Sequence, residues 1–536
     1  MSLKITPPRA MPVDTGELGA KLLPEGSPYK WIGDKLYEQY SDEEFADLYS
    51  QEGRPAISPV LLAIVLIFAY LERLSDRQVV EALRMRLDWK YALHLPLEYG
   101  GFDFSVLSEF RDRMIQHEAE KRVFEKMLGQ MQEIGLLKRR GRQRSDSMAM
   151  LTKMRTLNRV ERVAETLRVA ARALVKADPE WSSEVLPPSW EERYGERIVF
   201  ERLSEVERKQ LESTVGADGQ WLLKRLRDEH TPKELAQLPE VELLASVWEQ
   251  QFEEVEGQVV FQEAGKYDGR RQIQSPHDPE ARYSKKGSQR WIGDKVQLTE
   301  SDDEGVPHLI TDIAVTDSVE PDCNVLPEIH SRLAGQQLLP EEHQVDNGYM
   351  SVSNLLACDE LGIDLIGPVA TNHSPQAKLP GGLTKDQFRI DWEAGTAICP
   401  ANHLAVGKLQ SDGNKRFHFA KKVCTACSLR PLCCTGKGGR TITAGRHDER
   451  LQAARARQKT EAFRETYRKH RGGVEGTLSA AVRGHGLRVG RYIGQAKRHL
   501  QAIFTGIAIN LRRAANWLAG YRPKPRRKGL GLASVG

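Results

Sequence analysis

Long apolar runs, cysteine and net charge are all scarce in this sequence of 536 residues. The most apolar stretch runs only from Val60 to Leu71, whereas a helix needs about 20 residues to span a bilayer. No basic segment followed by an apolar run opens the chain, as a secretory signal peptide would require. We therefore expect a cytoplasmic protein that has no membrane partner.

The seven cysteines are too unevenly placed for a disulfide framework, because five of them fall between residues 399 and 434. Such a cluster favours a reducing compartment and a metal site. Cys424 and Cys427 form a Cys-x-x-Cys knuckle, and a tetrahedral structural zinc site needs two further ligands. We expect these to be Cys399 and either Cys433 or Cys434, with His403 as a substitute. Reduced thiols without metal are the alternative. Residues 371–445 are thus predicted to form a small zinc-knuckle insertion.

A net charge of +4 does not by itself indicate a nucleic-acid partner. The distribution of charge is more informative, because residues 1–50 and 235–305 are acidic and residues 415–530 are basic. The tail over 521–536 contains a basic strip that is suited to neutralising phosphates. The same strip could serve only solubility. A hydrophobic content of 40% with 28% charged residues indicates a globular protein of two to four domains.

The N-terminal part of the chain reads as helical after a proline-rich start. Residues 1–57 are predicted to be a loosely structured extension, and Ser58-Pro59 has the N-cap and first-turn proline that begin a helix. Further helical patterns make residues 58–140 an all-helical domain. This domain is either a helix-turn-helix DNA reader or a plain bundle, and the arginines that would read DNA are Arg84, Arg86, Arg111 and Arg113.

The middle of the chain alternates strand and helix patterns around one long helical segment. Asp146 follows a basic linker, a helical insertion is predicted over 152–260, and Asp346 ends a later apolar strand. The order strand, strand, strand, helix, strand, helix, strand predicts a ribonuclease-H-like α/β sheet built from residues 141–151 and 261–370. There Asp146 and Asp346 would lie at the ends of adjacent strands. The pentapeptide Trp-Ile-Gly-Asp-Lys occurs at 31–35 and 291–295, and its different flanks indicate coincidence rather than a repeat.

Residues 446–520 form a predicted C-terminal helical part in which one acid, Glu475, stands among many bases. Taken alone, such an acid is a solvated ion pair. Together with Asp146 and Asp346 it fits a site for two divalent ions, because Mg²⁺ prefers a few carboxylate ligands and completes its shell with water and phosphate oxygens. Counting alone cannot choose three acids among 74 Asp and Glu residues.

A series of short motifs runs in one order along most of the chain, from about Leu36 to Tyr521. The motifs are Ser145-Asp146-Ser147, Leu157-Asn158-Arg159-Val160-Glu161, Tyr283-Ser284-Lys285-Lys286, Lys295-Val296, Val345-Asp346-Asn347-Gly348-Tyr349, Ile366-Gly367-Pro368, Cys424-Thr425-Ala426-Cys427, Val474-Glu475-Gly476-Thr477, Gly486-Leu487-Arg488 and Arg491-Tyr492. In this combination the chain resembles the DDE transposases of bacterial insertion sequences, of the branch with a helical N-terminal domain.

The resemblance implies a retroviral-integrase-like catalytic core whose metal-binding triad is Asp146, Asp346 and Glu475, with two Mg²⁺ or Mn²⁺ ions. It also implies a signature of Tyr, Arg, Glu and Lys. Arg471 and Glu475 fit it, Tyr467 is displaced by one position, and Arg483 stands near the place of the lysine. Arg471 either holds a DNA phosphate or forms an i,i+4 ion pair with Glu475. The residues expected to contact DNA are Arg471, Arg483, Arg488, Arg491 and Lys497.

The implied activity is cleavage at transposon ends and transfer of the 3′-hydroxyls to target DNA, by a homodimer on double-stranded DNA in the bacterial nucleoid. A metal-dependent nuclease of the same fold, which cuts without joining, is one alternative. A DNA-binding regulator with a dead catalytic centre is another, and the complete set of three acids speaks against it. A degenerate transposase copy stays open as well.

Overall fold

The computed structural model describes residues 1–522 except Thr6, Val199, Glu201, Arg202, Ala264, Thr371 and Thr435. The predicted basic tail therefore falls outside the described residues from position 523 on. The chain divides into two compact units. The first unit comprises Met1–Lys138, Ser147–Glu320 and Glu475–Gly536, and the second comprises Arg139–Asp146 and Pro321–Val474.

The α-helices of the described residues are α1 (Val13–Leu22), α2 (Pro28–Trp31), α3 (Pro59–Glu72), α4 (Asp76–Met85), α5 (Leu87–Ala92), α6 (Ser105–Gln116), α7 (Glu120–Glu133), α8 (Arg159–Ala177), α9 (Pro179–Val185), α10 (Ser189–Tyr194), α11 (Glu205–Arg225), α12 (Lys233–Ala236), α13 (Pro239–Gln251), α14 (Asp322–Gly335), α15 (Val352–Leu361), α16 (Lys421–Thr425), α17 (Arg430–Cys433), α18 (Asp448–Arg457), α19 (Glu461–His485) and α20 (Gln495–Leu518).

The strands are β1 (Arg142–Leu151), β2 (Phe252–Val255), β3 (Gln258–Phe261), β4 (Arg282–Lys286), β5 (Gln289–Ser301), β6 (Ile310–Asp317), β7 (Glu342–Gln344), β8 (Asp364–Ile366), β9 (Arg389–Asp391), β10 (Thr396–Ile398), β11 (Leu404–Leu409), β12 (Lys415–His418) and β13 (Thr441–Ala444). The protein is thus a mixed α/β protein.

Helix α3 lies at the centre of the N-terminal helices of the first unit. It begins where the sequence predicts, because the Ser58 hydroxyl accepts a hydrogen bond from the Leu61 amide at 3.2 Å and Pro59 occupies the first turn. Every residue from Pro59 to Leu71 is buried. Within the part of the chain that the structure describes, no helix combines the length and the apolarity that crossing a membrane requires.

The N-terminal extension folds onto these helices, so the prediction of a loosely structured segment over 1–57 was wrong. The Tyr29 ring packs edge-on against Phe68 with centroids 4.9 Å apart, and Phe45 is buried. The Thr15 hydroxyl donates to the Leu95 carbonyl at 2.8 Å. Prolines suggested disorder, but here they open helices α2 and α3.

The four arginines of the predicted DNA reader are engaged within the fold. Arg86 pairs with Glu72 and Asp88, and Arg111 pairs with Asp76 at 2.5 Å. Arg113 lies over the Tyr49 ring, and the Arg84 Nε donates to the Gly100 carbonyl at 2.6 Å. The geometry therefore explains these side chains as parts of a helical bundle and supplies no reason to assign them to DNA.

The segment between β1 and β4 builds a hydrophobic core of its own from helices α8–α13 and the β2–β3 hairpin. Trp248 lies in this core, and its indole N–H donates to the Gly216 carbonyl at 3.1 Å. Gly219 makes this approach possible, because a Cβ at that position would lie 2.0 Å from the Trp248 ring. These helices fall within the predicted insertion 152–260, whereas the hairpin was not predicted.

In the first unit, strand β5 pairs antiparallel with β4 and β6 and neighbours β1. Helix α20 packs against β6 and α3 and is buried along most of its length. The Asn510 side chain accepts from the Ile310 amide and donates to the Ile310 carbonyl, both at 2.7 Å. Arg498, on the same helix, pairs with Asp278 at 2.6 Å and with Asp294, and all three side chains are fully buried.

In the second unit, the N-terminal half of β1 pairs parallel with β7, which pairs parallel with β8. A separate antiparallel sheet of order β13-β12-β11-β10-β9 packs around Phe388, Phe417 and Ile442. The sequence indicated only a cysteine knuckle in this region. The sheet was missed because its strands have three to six residues, which is too short for an alternating pattern to stand out.

Replacing Arg498 with methionine should lower the free energy of unfolding of the first unit by about 3–5 kcal/mol, because Asp278 and Asp294 would stay buried without a cationic partner. Urea unfolding followed by circular dichroism measures this change. Lys497→Met is the matched control. The Lys497 side chain is 42% exposed and pairs with Asp112 at the surface, so its loss should cost less than about 1 kcal/mol. Equal effects of the two substitutions would contradict the central role of Arg498.

Candidate functional site

Asp146 and Asp346 occupy matching positions on neighbouring parallel strands of the second unit. Arg144 of β1 is paired in register with Gln344 of β7, and each aspartate lies two residues further along its strand path. Because side chains alternate with a period of two and adjacent strands lie about 4.8 Å apart, the register places both carboxylates at the same edge and on the same face.

The two acids differ in their local structural roles. Asp146 lies inside the ten-residue strand β1, so it is neither an N-cap nor the end of a short strand. Asp346 directly follows β7, and its Oδ1 accepts from the Asn347 amide at 2.7 Å, which makes it the cap of a 3-10 turn over Asn347–Tyr349. That cap occupies one carboxylate oxygen of Asp346.

Arg471 of α19 is the cation of this acidic pair. Its Nη2 lies 2.8 Å from the Asp146 Oδ2, and both side chains are about nine-tenths buried. Burial lowers the pKa of Arg471, but Asp146, with a smaller contribution from Asp346, outweighs it and the net shift is upward. The Nε and Nη1 of Arg471 are buried without a hydrogen-bond acceptor. The ion pair of Arg471 is thus with Asp146, not with the predicted i,i+4 partner Glu475.

Tyr467 lies one helical turn before Arg471 and contacts Val345, the residue that follows strand β7. Its hydroxyl donates to the Val345 carbonyl at 3.3 Å, and burial raises its pKa. The Phe463 ring stacks on the Tyr467 ring at 5.5 Å. Despite the displacement by one position in the sequence motif, the tyrosine packs beside Arg471 and next to the residue that precedes Asp346.

A buried chain of hydrogen bonds ties β1 to β7 behind the two acids. The Ser145 hydroxyl lies 2.7 Å from the His343 Nε2, and the His343 Nδ1 lies 2.8 Å from the His330 Nε2. Burial lowers the pKa of His330 to about 4 and that of His343 well below its usual value, so both rings are neutral. Ser145 and His343 are paired without adding charge next to Asp146.

Glu475 belongs to the first unit and is exposed on the wall of an open cavity of about 550 Å³. Ser147, the residue that follows Asp146 in the chain, lines the same cavity. Four cations and one aromatic ring share the wall: Lys286, Lys295, Arg483, Arg488 and Trp291. Arg483 and Arg488 were predicted from the sequence to contact DNA, whereas Lys286 and Lys295 were given no role. The signal that could have identified these lysines is their place in two of the motifs that carry the family resemblance, on the hairpin strands β4 and β5.

The two remaining basic residues predicted to contact DNA lie in other surroundings. The Arg491 guanidinium lies 4.8 Å from the Tyr70 ring centroid and donates to the Leu74 carbonyl at 3.2 Å, so the fold accounts for it. Lys497 is half-exposed and pairs with Asp112 at 2.8 Å. Neither residue lines the cavity beside Glu475.

The clustered cysteines surround one small cavity of the second unit, and all of them are free thiols. Cys399, Cys424 and Cys433 pack against the core of the antiparallel sheet. The Cys399 sulfur accepts from the His403 amide and the Cys424 sulfur accepts from the Arg440 amide, both at 3.4 Å. Burial raises the pKa of Cys433, and the thiols of Cys424, Cys434 and Cys399 lie near enough to add to the rise.

Cys434 differs from the other thiols of this cluster. Its sulfur lies 3.4 Å from the Gly438 carbonyl and 3.8 Å from the Gly436 carbonyl, so it is held by the following loop. Of the two candidates for the fourth ligand, Cys433 is therefore the better placed. In the residues with described positions, no three His, Cys, Asp or Glu side chains are grouped tightly enough to hold a metal ion.

Comparison with known proteins gives two matches to family models. Residues 398–515 match the transposase DDE domain, and residues 19–113 match a transposase domain (DUF772). The first match covers the cysteine cluster, Arg471, Glu475 and most of α20. The second covers the N-terminal extension and helices up to α6. No curated protein and no solved structure matches the chain.

Two adjacent glycines of α19 test how closely this helix must approach β1. A Cβ at Gly473 would lie 2.0 Å from the Arg144 guanidinium, which donates to the His470 carbonyl at 2.6 Å. Gly473→Ala should therefore cost about 1–3 kcal/mol through overpacking. Gly472 faces open space, so Gly472→Ala should stabilise the helix by about 1 kcal/mol. Thermal unfolding of the two variants measures the difference, and shifts of the same sign would refute the close approach.

Proposed function

We propose that this chain, which family models of transposase domains match at residues 19–113 and 398–515, is a DDE transposase that cuts DNA at the ends of an insertion sequence and joins the freed 3′-hydroxyls to target DNA. The observation that carries this proposal is the matched position of Asp146 and Asp346 on parallel strands, with the buried Arg471 paired to Asp146. An acid pair where two parallel strands stop pairing is a natural place for divalent metal.

The order of strand pairing supports a ribonuclease-H-like core. Strand β6 pairs with β5, β5 neighbours β1, β1 pairs with β7 and β7 pairs with β8. The first pairing is antiparallel, the last two are parallel, and helices α14 and α15 each precede one of the parallel strands β7 and β8. Three strands followed by two helix–strand units support the ribonuclease-H-like core that we propose, with β4 as an additional strand before β5.

The proposed ligands of two Mg²⁺ or Mn²⁺ ions are Asp146, Asp346 and Glu475. Their oxygen donors suit hard cations, and in this structure Arg471 is the cation that pairs with Asp146. Such ions, when bound, activate the attacking oxygen and stabilise the leaving oxygen. Glu475 is included with the two aspartates because Val474-Glu475-Gly476-Thr477 is one of the motifs that carry the family resemblance.

Two displacements at phosphorus would follow one another. In the first, the oxygen of water forms a bond to phosphorus at the transposon end, the bond from phosphorus to the 3′-oxygen breaks, and the leaving 3′-oxygen takes up a proton, by way of solvent, in place of the one that the water loses. In the second, the freed 3′-hydroxyl oxygen bonds to a target phosphorus and loses its proton, while the displaced 3′-oxygen of the target strand takes up a proton. No oxidant or cofactor beyond the metals is needed. Both steps place negative charge on phosphate oxygens.

The cations of the cavity beside Glu475 are suited to holding those phosphates. Lys286 and Arg483 are exposed, and the Arg488 Nη1 donates to the Ala149 carbonyl at 3.2 Å, which fixes its side chain at the wall. Contacts of this kind position the DNA backbone without reading its sequence. Joining two transposon ends in one reaction requires two active sites, so we propose a homodimer on DNA.

The cysteine cluster is proposed to hold a structural Zn²⁺ through Cys399, Cys424, Cys427 and Cys433. The donor set suits zinc, because four thiols line one cavity and two of the sulfurs already accept backbone N–H bonds, as thiolates of zinc knuckles do. When bound, the ion would fix the loops between the strands of the small sheet.

Cleavage and joining should be measured with purified protein and DNA that carries the flanks of the gene, in Mg²⁺ or Mn²⁺. Nicks at the element ends followed by joined product are expected for the unchanged protein, and both should be abolished in Asp346→Asn and Glu475→Gln because a metal ligand is lost. Glu465→Gln, also on α19 and exposed, is the matched control and should keep full activity.

Other outcomes of this assay separate the alternatives. Cutting without joining would support the nuclease. DNA binding without cutting would support the regulator or a degenerate copy. Cutting that survives Asp346→Asn and Glu475→Gln would exclude the proposed triad.

The zinc content of the protein distinguishes Cys433 from Cys434. Purified protein should contain about one zinc per chain, and Cys433→Ser should lose it because the tetrahedral shell is opened. Cys434→Ser, the neighbouring control, should keep the metal. Atomic absorption after dialysis measures both. Loss of zinc from Cys434→Ser alone would reverse the assignment, and zinc-free unchanged protein would favour the alternative of reduced thiols.

A further inference from the structure

Two arginines of the helical insertion form no ion pair with any carboxylate among the described residues. Arg159 and Arg162 stand three residues apart in the first turn of α8. Arg162 is only 8% exposed. Glu212 acts on Arg159 only through space. A buried charge without a partner is costly, so its presence calls for an explanation.

The hydrogen bonds of the two side chains all go to neutral groups. The Arg162 Nη1 and Nη2 donate to the side-chain oxygens of Gln272 and Gln274 at 3.4 and 3.3 Å, which is the long end of the normal range. Arg159 donates to the Gln251 Oε1 at 2.7 Å, and to the carbonyls of Gln251 and Gln262. None of these acceptors carries charge.

Two donors of the same cluster have no acceptor at all. The Nε of Arg162 and the Nε2 of Gln251 are both buried without a hydrogen-bond partner. Gln251 is itself 1% exposed and is bound to Arg159 through its oxygen. Buried donors are nearly always satisfied. Two unsatisfied donors beside two unpaired cations indicate a missing group with several negatively charged oxygens.

Other buried arginines of the protein show how unusual this pair is. Arg168, on the same helix, makes a two-pronged bond with Glu165 at 2.8 and 2.6 Å. Arg111, Arg471 and Arg498 also have carboxylate partners, and the pKa of all four is raised. By contrast, burial and the neighbouring Arg159 lower the pKa of Arg162 to about 10, and burial lowers that of Arg159.

We propose that the first turn of α8, with Arg159, Arg162 and Gln251, is a binding site for a phosphate group. Guanidinium forks match the oxygens of a phosphate group, which could accept from the unsatisfied Arg162 Nε and Gln251 Nε2 together. The positive end of the helix adds to the attraction. Arg159 is partly exposed and gives access, while Arg162 lies behind it. The phosphate is either one of the DNA backbone or a free one, and the inference does not depend on the proposed triad.

Thermal unfolding of the whole protein with inorganic phosphate tests the site directly. Phosphate should raise the unfolding temperature of the unchanged protein by about 2–4 °C relative to chloride of equal ionic strength, because it binds only the folded state. Arg162→Met should abolish this rise. Without phosphate, Arg162→Met should unfold at the same or a higher temperature than the unchanged protein, because an unpaired buried charge has been removed.

Arg168→Met is the matched control on the same helix. It breaks a paired arginine, so it should lower the unfolding temperature and leave the phosphate-dependent rise intact. If Arg162→Met does not fold, Arg159→Gln, at the accessible position, replaces it. No rise with phosphate in the unchanged protein, or an equal rise in Arg162→Met, would overturn the proposal.

Binding of a DNA duplex without divalent metal identifies the source of the phosphate. If the group belongs to DNA, Arg162→Met should weaken binding, and the slope of log K against log salt should fall by about 0.9 for the lost phosphate contact. If the group is free phosphate, the variant should bind DNA unchanged while losing the thermal effect. Because neither experiment involves cleavage, a failure here is distinguishable from a failure of the proposed transposase activity.

Discussion

The short parallel pairing of β1 with β7 is the interaction on which the candidate site depends. Only three residue pairs define it, with Arg144 opposite Gln344. A slip of one residue would turn Asp346 to the other face of the sheet and separate it from Asp146. The hydrogen bonds from Ser145 to His343 and from His343 to His330 fix the register from within. Buried side chains thus stabilise a strand pairing that is too short to be stable through its backbone hydrogen bonds alone.

Charge compensation is the second organising feature of the protein. Arg498 pairs with both Asp278 and Asp294 under α20, and Arg471 pairs with Asp146 in the second unit. The first arrangement leaves no polar group of the arginine exposed and is structural. The second leaves two donors of Arg471 without acceptors. The unsatisfied donors of Arg471 therefore distinguish its ion pair, at a candidate metal and phosphate site, from the structural ion pairs of Arg498.

The sequence could predict the elements that depend on local signals. The start of α3 at Ser58 follows from its cap, and the period of apolar residues predicted the helical insertion over 152–260 in which α8 lies. Glu475 and the two aspartates came from a resemblance, and the parallel register then placed the aspartates together. Such a register is a non-local property, because residues 144 and 344 meet only in the folded sheet.

Predictions failed where tertiary contacts decide the structure. Trp-Ile-Gly-Asp-Lys is helical at 31–35 and forms part of strand β5 at 291–295, so the same five residues adopt two conformations in one chain. Arg84, Arg86, Arg111 and Arg113 appeared suited to DNA but are engaged by partners that only the fold supplies. The sequence could not predict that Arg162 forms no ion pair either, because only the fold determines which side chains surround it.

The side chains of α20 that contact β6 also protect the edge of this strand from aggregation. Strand β6 pairs on one side with β5, and on the other side Asn510 bonds both backbone groups of Ile310 while His499 accepts from the Val315 amide at 3.0 Å. An open strand edge is a template for pairing with another chain. By occupying these groups with side chains, the helix removes a route to aggregation through edge-to-edge pairing of sheets, and association between copies is left to other surfaces.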